Sequence, residues 1–189
     1  MTKRKLFLII ALFLIILTGF RILWVMISPH TTQPPLINGV LDLRDQNLNP
    51  DKLLILNGQW EFYPGMLLPS FNEQSLTSAP TKYIQVPGNW KDALSDSDSD
   101  KSAYGYGSYR LRVLTDNNKK QSYSLLISGA RSSSEVYING ERLGSSGSPA
   151  ESKEHYIPYI LTYSVSFTTD KSELQIVIHV ANYSFSQTG

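Results

Sequence analysis

The hydrophobic pattern divides the chain into two unlike parts. Residues 6–27 are almost continuously apolar, and only Arg21 interrupts their second half. From Leu36 onward, apolar and polar residues alternate over short runs that end at Gly, Pro, Asn or Ser. The first pattern is typical of a helix that crosses a membrane, and the second is typical of β-strands joined by turns.

The apolar segment has the length and flanks of a membrane anchor. Its 22 residues would form a helix of about 33 Å, which is close to the hydrocarbon thickness of a bilayer. Three basic residues precede it, so residues 1–5 are predicted to form a cytoplasmic tail and the rest of the chain to lie outside. Arg21 and Trp24 would sit near the outer end, where both side chains can reach the headgroups.

A cleaved signal peptide is the alternative interpretation of the same segment. A basic start followed by 15 apolar residues, Leu6–Phe20, also fits that class, although the large residues Trp24–Ile27 lack a small-residue cleavage site. Both interpretations place the remaining chain outside the cytoplasm. Residues 28–35 are polar and rich in proline, and they predict a linker that ends the helix.

Residues 36–189 are predicted to form one all-β domain. Asn139-Gly140 between apolar runs is a strong hairpin signal, because both positions accept a positive φ. In the run that begins at Gly107, three apolar residues alternate with Arg110 and Arg112, which predicts a strand with its charged face toward solvent. No helical period is sustained, so we expect a jelly-roll β-sandwich after one transmembrane helix. The predicted strands are Val40–Leu43, Gln59–Tyr63, Tyr83–Val86, Gly107–Thr115, Ser122–Ser128, Glu135–Ile138, Glu141–Leu143, Ile160–Thr168 and Glu173–Ala181.

Charge and cysteine content narrow the functional classes. The net charge is +1, but four basic residues lie in the first 27, and the remainder carries 13 Lys and Arg against 16 Asp and Glu. Such a mildly acidic domain is poorly suited to nucleic acid, because phosphate neutralisation dominates that affinity. The chain has no cysteine, which excludes disulfides and thiolate metal sites.

Four segments, in order, carry a family resemblance. They are LNGQWEFYPG from Leu56, VPGNW from Val86, YGYGSYRLRV from Tyr104 and VYINGERLGSSG from Val136. This series resembles the galactose-binding-like jelly roll at the front of family 2 glycoside hydrolases. It is more similar still to the extracellular sensor domains of bacterial seven-transmembrane receptors with diverse intracellular signalling modules. The resemblance covers about residues 36–189 and implies a ligand sensor whose kinase or cyclase output would be encoded elsewhere.

Six residues are candidates for ligand binding, each with a structural alternative. Trp90 follows a Pro-Gly turn and could stack on a sugar, or fill the end of the core. Tyr104 and Tyr106 lie on a glycine-rich approach to a strand and offer rigid contact area with a polar tip. Arg131, Glu151 and His155 lie in the loops on either side of the hairpin. They could line one polar pocket, or Arg131 and Glu151 could simply pair and fix the loop.

Metal binding and catalysis find little support. Asp96, Asp98 and Asp100 alternate as at the start of a calcium loop, but Lys101 and Gly107 stand where that loop needs Gly and Glu. The resemblance implies that a structural Ca²⁺ is possible, with unknown ligands, and no other cofactor. No nucleophile, zinc or nucleotide-binding motif is present, so this chain is predicted not to be an enzyme.

Three functions remain open after this reading. The first is the extracytoplasmic domain of a membrane signalling receptor that senses a carbohydrate or small polar metabolite. The second is a non-catalytic carbohydrate-binding module of a surface glycoside hydrolase. The third is a protein-interaction module, for which a homodimer is one possible arrangement. In all three, the domain lies outside the cytoplasm, at the membrane or the cell surface.

Overall fold

The computed structural model separates the chain into two compact units, residues 1–33 and residues 34–189. The first unit contains one helix, α1 (Lys3–Ile27), in which no described side chain is buried. It is long and apolar enough to cross a membrane, as an anchor or a signal sequence would be. The residues that the structure describes are 3–27, 33–44, 46, 53–68, 82–94, 102–116, 120–128, 130 and 132–186.

The second unit is a β-sandwich, as predicted. Its described strands coincide with the predicted runs to within a few residues, because alternation marks strands well wherever one face is buried. A short helix, α2 (Lys91–Leu94), follows the third strand. The strands are β1 (Val40–Asp42), β2 (Gly58–Pro64), β3 (Lys82–Val86), β4 (Gly105–Leu114), β5 (Gln121–Ile127), β6 (Ser133–Ile138), β7 (Glu141–Ser146), β8 (Tyr163–Thr169) and β9 (Glu173–Asn182).

The larger of the two sheets is built around β4. The order of its main path is β3-β2-β4-β9-β6-β7, and β1 also pairs with β4, in parallel. β9 pairs with all ten residues of β4 from Gly105 to Leu114. On the other edge of β4, the residues near its start pair with β2 and those near its end pair with β1. The smaller sheet contains β5 and β8 in antiparallel pairing.

The main core lies between the two sheets. Trp60 is 3% exposed and Leu111 is fully buried, and both pack with Ile127 of β5 and Val165 of β8. Trp60 also donates an indole hydrogen bond to the Leu56 carbonyl at 2.8 Å. Trp60 therefore belongs to the core and holds the segment before β2 against it.

The predicted hairpin is present between β6 and β7. Asn139 and Gly140 have φ values of 50° and 85°, as a two-residue type I′ turn requires. The Asn139 side chain also accepts a hydrogen bond from the Gln175 backbone amide at 2.9 Å. This contact fixes the turn to the start of β9.

The second face of the large sheet differs from the prediction. We call it the outer face; Glu61, Arg110, Val177 and Tyr137 form one row across it. The prediction that β4 turns its charged side to solvent is wrong at Arg110, which is only 8% exposed and forms an ion pair with Glu61. Alternation identified the two faces of β4 correctly, but it could not show that both become buried.

Candidate functional site

One end of the sandwich gathers the predicted site loops. β4 begins there at Gly105, β9 ends there at Asn182, and β6 begins there at Ser133, because these residues are register partners or near neighbours. β7 ends at the same level, where Ser146 lies close to the start of β6. We call this edge, with the segment Gly147–Tyr159 that follows β7, the loop end.

The segment after β7 is held to the sandwich by backbone hydrogen bonds. Ser148 and Ile157 exchange two such bonds, of 2.9 and 3.0 Å. The Tyr159 amide then donates to the Ser132 carbonyl at 2.9 Å, and the Ser146 hydroxyl donates to the Tyr159 carbonyl at 2.8 Å. The loop therefore has a defined shape, set by β6 and β7, which is a requirement for a preorganised binding site.

Two tyrosines form the centre of the loop end. The rings of Tyr156 and Tyr183 meet edge to face with centroids 5.3 Å apart. The Tyr183 hydroxyl donates a hydrogen bond to the Glu151 carbonyl at 2.7 Å. Burial is the main cause that raises the pKa of Tyr183, and Tyr106 and Glu151 act in the same direction. The Tyr183 hydroxyl is therefore a neutral hydrogen-bonding group at physiological pH.

The Tyr156 hydroxyl has no hydrogen-bond partner among the described residues. Tyr156 is only 7% exposed, so this polar atom is shielded from bulk water as well. A buried hydroxyl without a partner costs about 1–3 kcal/mol, and buried hydroxyls of tyrosine are usually bonded. The Tyr156 hydroxyl is therefore free to form a hydrogen bond with a group outside the described residues.

The end of β9 is shaped by Asn182. Its side-chain amide donates to the carbonyls of Ala103 and Phe185, at 2.9 and 2.8 Å, and its oxygen accepts from the Phe185 amide at 3.0 Å. Asn182 thereby ties the approach to β4 to the turn that follows β9. Tyr104 and Tyr106 lie on that approach, on either side of Gly105.

The structure brings some of the predicted site residues together. Glu151 and His155 share the loop-end segment, where the His155 ring nitrogen Nδ1 lies 3.1 Å from the Ser152 hydroxyl. Tyr106 is the register partner of Ala181, two residues before Tyr183. These positions lie at the same end of the sandwich. Ligand binding by these residues remains a prediction.

The remaining candidates lie elsewhere or outside the described residues. Trp90 is 3% exposed, packs against Phe62 with ring centroids 6.0 Å apart, and belongs to a small core cluster with Ala93. Its ring is thus placed as the core alternative expected, although its indole N–H has no partner among the described residues. Tyr104 is half exposed. Arg131 and the Asp96–Asp100 run lie outside the described residues.

Sequence reasoning missed Tyr156 and Tyr183. Tyr156 stands next to the candidate His155, but nothing in the sequence shows that a loop tyrosine will pack on a strand-end tyrosine. Among the described residues, no group of three or more His, Asp or Glu side chains is arranged to hold a metal ion. The described groups at the loop end are tyrosine hydroxyls, backbone carbonyls and the side chains of Glu151, Ser152 and His155.

Comparison with known proteins identifies the fold. No protein-family model matches the sequence, and no curated protein sequence matches it either. The β-glucuronidase of Faecalibacterium prausnitzii is similar in structure, with a TM-score of 0.50 and 15% identity over 73% of this chain and 23% of that one. A Ruminococcus gnavus β-glucuronidase in complex with uronic isofagomine has a TM-score of 0.46 and 18% identity over 71% of this chain and 23% of that one.

A third structure, the Lactobacillus rhamnosus β-glucuronidase, has a TM-score of 0.44 and 13% identity over 67% of this chain and 20% of that one. The chain thus spans about a fifth of the length of these enzymes. At such identities a likeness identifies a fold and no activity. The likeness to the Faecalibacterium prausnitzii enzyme supports the β-sandwich fold of this domain.

Proposed function

We propose that the sandwich is the extracytoplasmic ligand-binding domain of a membrane signalling receptor, and that its ligand is a carbohydrate or a small polar metabolite. The ligand binds at the loop end. The observation that carries this proposal is the buried Tyr156 hydroxyl, which has no hydrogen-bond partner in the part of the chain that the structure describes and lies beside Tyr183 and the Glu151 carbonyl. A ligand hydroxyl is the group that would complete this arrangement.

The helix α1 supports the setting of the proposal. It has the length of a membrane span, carries basic residues at its start and buries none of its described side chains. A domain linked to such a helix meets its ligands at the cell surface. Binding would then act by favouring one arrangement of the loop end over another, since a ligand shifts an equilibrium only by its differential affinity.

The ligand-binding part is tested by thermal unfolding of the full chain in micelles. The detergent must lack a sugar headgroup, because a maltoside would compete with the ligands. Monosaccharides, oligosaccharides and organic acids are added one at a time over a range of concentrations. A true ligand at about 100 times its Kd stabilises the fold by about 2.7 kcal/mol, which raises the melting temperature by several degrees.

Two variants locate the site. Tyr156→Phe removes only the hydroxyl that has no partner among the described residues, so we expect an unchanged or higher melting temperature without ligand and at least a tenfold loss of affinity. Tyr83→Phe is the matched control, because Tyr83 is half exposed on β3 and should bind as the parent chain does. If Tyr156→Phe binds every active compound with unchanged affinity, the loop-end site is refuted.

The cellular setting is tested separately. Because the chain has no cysteine, a single Ser124→Cys on an exposed position of β5 gives a clean label site. Labelling of intact cells by a membrane-impermeant maleimide, with the protein retained in carbonate-washed membranes, is the expected result. The intact mass of the membrane-bound protein distinguishes an uncleaved anchor from a cleaved signal.

A further inference from the structure

The described segment after β2 covers part of the outer face of the large sheet. The Ser108 hydroxyl accepts a hydrogen bond from the Leu68 amide at 3.0 Å and donates one to the Met66 carbonyl at 2.8 Å. The His179 ring nitrogen Nε2 lies 2.8 Å from the Leu68 carbonyl. The segment after β2 therefore seals the part of the outer face that contains Ser108 and His179.

The next row of the outer face is internally satisfied. Arg110 and Glu61 form their ion pair there, and the Tyr63 hydroxyl donates to Glu61 at 3.1 Å. The Arg110 guanidinium also lies 5.4 Å from the centre of the Tyr63 ring. These groups have partners and need no ligand.

The row beyond, at Arg112 and Gln175, is different. The two residues are direct register partners on β4 and β9. The Arg112 Nε donor and the Gln175 Oε1 acceptor are both buried, and neither has a hydrogen-bond partner among the described residues. Gln175 as a whole is only 5% exposed. An unpaired donor and an unpaired acceptor thus lie side by side on the same face.

An apolar residue would serve the fold better at Gln175. A buried polar atom without a partner loses its hydration without compensation, whereas an apolar side chain of the same shape does not. Such atoms are rare in native proteins, and each requires an explanation. One explanation is that a bound molecule supplies the missing acceptor to Arg112 and the missing donor to Gln175.

The charge of the row limits what that molecule can be. The Glu173 carboxylate, two residues before Gln175, lies 3.9 Å from Arg112 Nη1, with both side chains about half exposed, so the positive charge of Arg112 is partly balanced. A carboxylate ligand would be repelled by Glu173 and by the buried Glu61. A neutral pair of neighbouring hydroxyl groups would not be repelled. One hydroxyl can accept from Nε while the other donates to Oε1.

We propose that Arg112 and Gln175 form a second binding site, on the outer face and separate from the loop end, for a sugar or polyol with vicinal hydroxyl groups. The site stands independently of the loop-end proposal, because it uses neither Tyr156 nor Tyr183. The two sites lie toward opposite ends of the β4–β9 pairing and would bind separate molecules.

The test uses the full chain in micelles of a detergent without sugar, labelled with ¹⁵N and observed by NMR. The probes are glucose, galactose, mannose and myo-inositol, with cyclohexanol as a control that has one hydroxyl. We expect at least one vicinal diol to shift the backbone amides of residues 112 and 175 saturably. We expect cyclohexanol at the same concentration to leave both in place.

Variants separate binding from structure. Gln175→Leu should weaken the best probe at least tenfold while its melting temperature without probe stays the same or rises. Arg112→Lys, on a partly exposed residue, removes the Nε donor but keeps the charge and should weaken binding similarly. Tyr156→Phe should leave the affinity of this site unchanged.

Three results would overturn the second site. The first is that none of the four diols moves the amides of residues 112 and 175, which would leave water as the partner of the two groups. The second is an equal response to cyclohexanol. The third is parental affinity in both Gln175→Leu and Arg112→Lys. If the loop-end proposal is wrong, Tyr156→Phe will keep the parental affinity for every active compound. The results for Arg112 and Gln175 will not change.

Discussion

Glu61 and Arg110 form an ion pair across the β2–β4 pairing, with both side chains over nine-tenths buried. The pair is flanked by the Tyr63 ring and hydroxyl. Two charges that are removed from water cost several kcal/mol each, and their attraction compensates only when the geometry is good. The pair therefore matters less for net stability than for what happens when one partner is lost.

Arg110→Met should destabilise the domain by about 3–5 kcal/mol, because Glu61 is left buried without a counter-charge. The double variant Glu61→Leu with Arg110→Met should recover most of that loss. Urea unfolding of the parent, both single variants and the double variant completes the cycle. A double variant as unstable as the sum of the single variants would show that the two charges do not interact.

Trp90 is best probed with two substitutions. Trp90→Ala leaves a cavity beside Phe62 and should cost about 3–5 kcal/mol of stability. Trp90→Phe keeps most of the packing and removes the unpartnered indole N–H, so it should cost roughly half as much or less. If Trp90→Phe remains folded and keeps full ligand affinity by calorimetry, Trp90 makes no contact with the ligand. A large loss of affinity in this variant would instead support stacking of Trp90 on a sugar.

Gly147 limits what the loop end can tolerate. Its φ is +71°, and an added Cβ would lie 2.3 Å from the Ile157 carbonyl oxygen, which is held by Ser148. Gly65 has a similar φ of +65° but open space around it, so it is a matched control. Both alanine variants pay the cost of a left-handed backbone, and Gly147→Ala should lose about 1–3 kcal/mol more through the clash. Equal melting temperatures for the two variants would contradict this expectation.

His179 should make stability depend on pH. Burial is the main cause that lowers its pKa below the ordinary value of 6.5, against the Leu68 carbonyl and Glu135, which raise it. Because the unfolded chain then binds a proton more readily than the folded one, stability falls as the pH drops below about 6.5. Urea unfolding at pH 7.5 and 5.5 measures the loss, and His179→Gln should show a smaller loss. If the loss of stability between pH 7.5 and 5.5 is the same in both proteins, it arises from the carboxylates and not from His179.

Much of the fold could be predicted from the sequence, because each strand has at least one buried face and therefore a period of two. The turn at Asn139-Gly140 could be predicted because its backbone conformation restricts the residue types. The burial of Arg110 could not, since it depends on Glu61, which lies 49 residues earlier in the chain. Alternation reports which side chains share a face, and it does not report what covers that face.

The candidate site was predictable only in outline. The loop after β7 was recognised from its composition, and Glu151 and His155 do lie on it. The pairing of Tyr156 with Tyr183 arises where a loop folds back on the end of a strand, and such contacts between distant segments leave no local signal. The unpartnered atoms of Tyr156, Arg112 and Gln175 are also invisible in a sequence, because every one of these residues normally finds a partner.

The position of β9 has a consequence for biosynthesis. This strand is the last that the structure describes, yet it lies in the middle of the large sheet and joins β4 to β6. A chain that emerges from the amino end first can pair β2 with β4 and β6 with β7, but these pieces remain separate until residue 182 is available. Contacts between such distant segments form late and slowly. The large sheet should therefore close only after β9 has been synthesised.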